Sequence, residues 1–123
     1  MTQNQGPTTF PSEDLLNRVC WGEDGLVAAV AQDFKSGRVL TVAWMNREAL
    51  RESVGRGEAV YWSRSRKRLW RKGEESGQLQ SLIELRVDCD GDAVLLLVDQ
   101  HGPACHTGAR SCFDTHAVPV VGT

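Results

Sequence analysis

Alternation of apolar and polar positions dominates the second half of the chain and predicts strands. From residue 80 onward Ile83, Leu85 and Val87 fall on one side and Glu84, Arg86 and Asp88 on the other, the signature of a half-buried strand. Residues 93–98 are a continuous apolar run, read as a buried central strand, with Gly91 in the turn between the two. Nearer the start, the apolar runs 26–33 and 39–44 flank Lys35-Ser36-Gly37, which predicts a hairpin. Residues 60–62 form a further strand running into a basic stretch, and Gly73 and Gly77 mark residues 69–77 as a loop. Two helices complete the set. Ser12 is placed to cap one reaching Val19, with Glu13 and Asp14 in its first turn and Leu15, Leu16 and Val19 on its apolar face. Asn46 is placed to cap a second over 47–54, with Gly55 and Gly57 as stop signals. The sum is an α+β fold: one small domain of mainly antiparallel sheet with two short helices, spanning 12–113, between a disordered lead-in over 1–11 and a tail over 114–123.

Composition narrows the function. A chain of 123 residues suffices for one domain with a modest core, and a formal net charge of −2 gives no whole-chain argument for nucleic-acid binding. The N-terminal residues have no charged and apolar regions of a signal peptide, and no apolar run is long enough to span a bilayer, so a cytoplasmic location is expected. Thiols stay reduced there. The four cysteines are then metal-binding, catalytic or buried rather than paired, and the isolated Cys20 is read as a small core residue.

The chemistry concentrates between residues 88 and 112. Asp88-Cys89-Asp90-Gly91-Asp92, Cys105-His106 and Cys112 interleave hard carboxylate and soft thiolate donors, which predicts two metal sites with different ions. If the strand's alternation runs on, Asp88 and Asp90 share the polar face while Cys89 points to the apolar one, away from them. Cys89 would then meet Cys105 and Cys112 on the buried side or across a subunit interface. Three thiols leave one zinc position open, as in catalytic sites, although the Cys-x15-Cys-x6-Cys spacing is not that of a zinc finger. His106 could close the site as a fourth ligand or act as a general base. For the aspartates, an ordinary solvated turn competes with a cation site. An EF-hand is disfavoured, because Ala93 stands where that loop needs glycine.

Between Arg64 and Lys72 lie six Lys or Arg residues, with Trp62 and Trp70 beside them. Such a segment is either a solvated hairpin tip or a surface that binds phosphate and stacks a base. The acidic cluster and near-neutral charge favour a nucleotide over a long polyanion.

Taken together these residues resemble the phosphoribosyl-AMP cyclohydrolase family of histidine biosynthesis. The resemblance runs over roughly 26 to 113, through Val42-Ala43-Trp44-Met45-Asn46-Arg47-Glu48-Ala49-Leu50, Trp62-Ser63-Arg64-Ser65-Arg66, Leu69-Trp70-Arg71-Lys72-Gly73-Glu74-Glu75-Ser76-Gly77, the aspartate turn, Gly102-Pro103-Ala104-Cys105-His106-Thr107-Gly108 and Ser111-Cys112-Phe113. It implies a hydrolase that opens a purine ring at the N1–C6 bond, with Zn2+ on Cys89, Cys105 and Cys112 and Mg2+ on Asp88, Asp90 and Asp92. It also implies a β-rich homodimer whose zinc ligands come from both subunits, acting on a small nucleotide. His106 is then the first candidate for the base, and Trp62, Arg64, Lys72 and Ser76 for substrate contacts. Glu75 and Gln78 depart from the family's frequent Thr and Asn, and Asp114 from its usual aromatic. Two rival readings are a structural zinc module closed by His106 that binds RNA or single-stranded DNA, and a hydrolase of other nucleotides centred on the aspartates.

Overall fold

The computed structural model describes residues 12–120, so the lead-in expected over 1–11 and the last residues of the expected tail lie outside the described residues. Helix α1 (Ser12–Arg18) leads into strands β1 (Val27–Asp33) and β2 (Val39–Met45), then helix α2 (Arg47–Arg56). A short pair, β3 (Val60–Ser63) and β4 (Arg68–Arg71), precedes the two long strands β5 (Gln80–Val87) and β6 (Ala93–Gln100). The class is α+β, as expected. The helix expected to follow a Ser12 cap instead begins at Ser12 and stops just short of Val19.

Four strands form one sheet in the order β2-β1-β6-β5. The β1–β2 hairpin is antiparallel, as is β5–β6, but β1 and β6 run parallel in the middle. The apolar run over 93–98 is central, as its composition required, because a strand flanked on both edges has no solvated rim. Val94, Leu96 and Val98 of β6 pack with Val27, Ala29 and Ala31 of β1 against Leu16, Leu50 and Tyr61. Helix α2 covers that face. Its Asn46 side chain accepts from the Ala49 N–H at 2.8 Å, and Gly57, at φ 71°, ends it in a left-handed conformation. Gly55, expected as a stop, lies inside the last turn.

Three expectations need correction here. The loop expected over 69–77 contains β4, which pairs Val60 with Arg71, Tyr61 with Trp70 and Trp62 with Leu69. Its arginines hid the strand, yet Arg68 and Arg71 are held by Glu74 and Glu58, and the Trp70 ring packs 5.7 Å from that of Tyr61. Ile83, expected to face inward with Leu85 and Val87, is 53% exposed, because a bulge between Leu82 and Glu84 shifts the alternation by one. Leu82 packs against the core in its place. Cys20 is exposed rather than buried; its N–H donates to the Gly91 carbonyl at 2.7 Å, clamping the β5–β6 turn. There Gly91, at φ 78°, leaves no room for a side chain, since a Cβ would sit 2.6 Å from the Arg18 carbonyl oxygen.

Candidate active site

A cavity of about 740 Å³ opens between β2, the β3–β4 hairpin, the loop over 72–78 and the segment over 104–112. Period-2 geometry turns Thr41 and Ala43 of β2 toward it, and Trp44, Trp62 and Trp70 add flat aromatic surface. Arg66, at the hairpin tip, lines the same space and makes no ion pair among the described residues. The combination of stacking faces and a free guanidinium suits a phosphorylated base.

The loop over 72–78 is held from both ends. Glu74 accepts from the Arg71 N–H at 3.0 Å and from Arg68 at 2.6 Å, so its carboxylate is engaged in building the loop. Gly73, at φ 84°, closes on the backbone of Gln78 and Leu79, where a Cβ would come within 2.6 Å. Beneath it a buried chain runs from the Tyr61 hydroxyl to Gln80 at 2.6 Å and from the Gln80 amide to Gln100 at 2.8 Å. Burial first, and then the charge of Cys112, pushes the Tyr61 phenol well above its usual range, so it remains a neutral donor. These contacts present Glu75, Ser76 and Gln78 to the cavity.

The opposite wall carries the thiols. The Cys112 N–H donates to the Leu40 carbonyl at 2.8 Å, and the buried Ser111 hydroxyl donates to Val39 at 2.7 Å, so the segment is stitched to β2. Cys105 is 8% exposed, and the Thr107 hydroxyl donates to its sulfur at 3.1 Å. That bond, with the Thr107 N–H and a contribution from the neighbouring Cys112 thiol, holds the Cys105 pKa below the usual thiol range. The Lys72 ammonium lies alongside; burial lowers its pKa, opposed by the charges of Cys112 and Cys105. His106 and Cys112 both face the cavity.

Cys89 is elsewhere. Strand β5 ends at Val87, so alternation does not extend to Cys89, and the expected separation of its thiol from the aspartates is overturned. Asp88, Cys89 and Asp90 bring their ligating atoms within 4.8 Å of one another, the only such trio among the described residues. The neighbouring carboxyls of Asp88 and Asp92 act on each other, lowering the pKa of Asp88 and raising that of Asp92, so that they titrate as a pair. Cys112 sits level with Leu40, hence with residues 96 and 97 of β6, whereas Cys89 lies beyond Ala93. Three to four residues of strand, roughly 10–13 Å, separate the two along the sheet, and β2 is two strands away from β6. Sulfurs sharing a zinc stand less than about 5 Å apart. One chain therefore does not gather Cys89, Cys105 and Cys112, nor does it close a site with His106.

Of the anticipated substrate residues, Trp62, Lys72 and Ser76 line the cavity. Arg64 does not; its guanidinium stacks 4.7 Å over the Trp44 ring. Trp44, Arg66, Glu75 and Gln78 line the cavity without having been singled out as contacts. A tryptophan at the end of an apolar strand reads as core, and only the basic, aromatic hairpin opposite could have suggested otherwise.

Comparison with known proteins places the chain in a family. The family model for phosphoribosyl-AMP cyclohydrolase matches residues 41–114. A Pseudomonas fluorescens protein, phosphoribosyl-AMP cyclohydrolase 2, is 65% identical over 99 residues, covering 80% of this chain and 67% of the relative. The phosphoribosyl-AMP cyclohydrolase of Rhodospirillum centenum is 59% identical over 106 residues, covering 86% and 80%. That of Hydrogenovibrio crunogenus is 58% identical over 107 residues, covering 87% and 73%.

Proposed function

Because this chain belongs to the phosphoribosyl-AMP cyclohydrolase family, we propose that it hydrolyses the N1–C6 bond of 1-(5-phosphoribosyl)-AMP, a step of L-histidine biosynthesis, in the cytoplasm. The observation that carries the reading is a cavity lined together by Trp44, Trp62, Trp70, Arg66, His106 and Cys112. Its aromatic faces stack the purine, and Arg66 with Ser76 takes phosphate oxygens. In the reaction the oxygen of water adds to C6, the C6–N1 bond breaks, and a proton passes to N1. The His106 imidazole takes the proton from water and returns it to the departing nitrogen, a role suited to its place in the cavity lining that Cys112 shares.

Zn2+ fits the donor set. Cys105 and Cys112 are neighbouring thiols, the former biased toward thiolate, beside an ammonium. Their third partner is Cys89 of the partner subunit, in a homodimer that brings the end of one sheet to the cavity of the other. When bound there, zinc supplies Lewis-acid activation of the attacking water. Asp88, Asp90 and Asp92 offer the hard oxygen donors that suit Mg2+, and they travel with Cys89 as one exposed turn. No helix among the described residues is long and apolar enough to cross a membrane.

The test follows ring opening by ultraviolet absorbance on phosphoribosyl-AMP. Turnover by metal-replete protein, abolished by a zinc chelator and restored by Zn2+, is expected. No turnover by the metal-replete protein would reject the reading.

A further inference from the structure

The backbone fixes Lys72 before its side chain is considered. Directly after β4, its N–H donates to the Ala59 carbonyl at 3.0 Å, so the residue is anchored just ahead of the strand that opens the hairpin. From there the half-buried side chain runs past Trp70, with the nitrogen 5.6 Å from the ring centroid, and donates to the Ala104 carbonyl at 2.7 Å. Ala104 is 4% exposed and is the hinge of the thiol segment. Its own N–H donates to Arg110 at 3.0 Å, and the next N–H, of Cys105, donates to Ala109 at 3.1 Å. A bond at the Ala104 carbonyl therefore sets the position of Cys105 and of the returning segment that ends in Cys112.

We propose that Lys72 is a positioning residue of the zinc site, pinning the thiol segment through Ala104 and setting a positive charge against Cys105 and Cys112, instead of serving chiefly as a phosphate ligand. The inference rests on the zinc reading above. Three thiolates on a divalent ion leave a net negative charge, and a half-buried ammonium beside them offsets it without entering the coordination shell. Reaching toward a phosphate would take the ammonium off a buried carbonyl and leave that oxygen without its donor. The neighbouring cation that remains free for phosphate is Arg66, which lines the cavity without an ion-pair partner among the described residues.

The experiment measures zinc affinity by competition with a chromophoric chelator in the full-length protein, for wild type, Lys72→Met and Lys72→Arg. Circular dichroism checks the fold, and Lys72→Gln replaces the Met variant if that one fails to fold. Loss of the contact is expected to weaken zinc binding by about tenfold or more, the range typical of groups that orient metal ligands, with Lys72→Arg restoring most of it. The KM for phosphoribosyl-AMP of the zinc-saturated Met variant is expected to stay within about threefold of wild type, well under the loss of a charge-assisted phosphate bond. Zinc affinity equal to wild type in the neutral variant would overturn the inference while leaving the enzyme reading intact. Wild-type protein that takes up no zinc would overturn the metal reading and this inference with it.

Discussion

Cys112 joins the cavity to the sheet through its backbone, while its thiol, beside that of Cys105, makes one longer contact to the fold, to the Thr41 hydroxyl at 3.4 Å. Removing the sulfur should therefore spare the fold. Cys112→Ala is expected to lose ring-opening activity by roughly a hundredfold or more, together with bound zinc, while its melting temperature moves by only a few degrees. A folded and fully active variant would contradict the catalytic role. Asp33 shows the opposite case, a buried carboxylate with a structural task. Burial alone would raise its pKa, but the Ser36 hydroxyl at 2.7 Å, the Ser36 N–H at 2.9 Å and the charge of Arg110 bring it below 3.8. A depressed folded pKa contributes stability above the unfolded value, and that contribution disappears as pH falls through the folded one. Asp33→Asn should thus cost about 1–3 kcal/mol at neutral pH in urea unfolding, with the gap to wild type closing below about pH 4. At this scale the clustering of donor residues was legible, since Asp88, Cys89 and Asp90 do bring their ligating atoms together. Trp44 was not, since an aromatic in an apolar strand is indistinguishable from core until the opposite wall is known.

Elements account for where the side chains point. Strands β1, β2, β5 and β6 and helix α2 follow from alternation, turn residues and a cap, and those signals are local. Asn46→Ala should cost about 1 kcal/mol of stability, measured by thermal or urea unfolding, through loss of the Ala49 bond. The misreadings arise where tertiary contacts override pattern. Strand β4 is chosen by its ladder to β3 and by ion pairs that satisfy its arginines, and the Ile83 bulge moves a whole face by one residue. The end of β5 at Val87 cancelled the argument that Cys89 faces away from Asp88 and Asp90. The loop over 72–78 depends on one glycine. Gly73→Ala places a Cβ 2.6 Å from the Gln78 backbone at a positive φ, so the loop must shift. A KM increase of roughly tenfold, larger than any fall in kcat, is expected in steady-state kinetics, because in the proposed reaction the loop carries substrate contacts and not the reacting water.

For the whole molecule, the arrangement of the sheet is what leads the proposed zinc site to call on a second copy. The β5–β6 turn with Cys89 and its aspartates lies at one end, and Cys105 and Cys112 lie toward the other, beside the cavity. That separation could not be read from the sequence, in which the three thiols fall within 24 residues of one another. Spacing along the chain carries no information about which end of a sheet each loop returns to. In the proposed symmetric dimer two complete sites would form at one interface, each with Cys89 from one subunit and the other thiols from its mate. Complementation tests this directly. Cys89→Ala and Cys112→Ala homodimers are each inactive in the account, but a mixed dimer has one intact site. Unfolding and refolding the two variants together at equal concentration should therefore recover about a quarter of wild-type ring-opening activity, since half the dimers are mixed and each has one working site of two. Recovery of no activity from the mixture, with mixed dimers present, would contradict a zinc site shared between subunits.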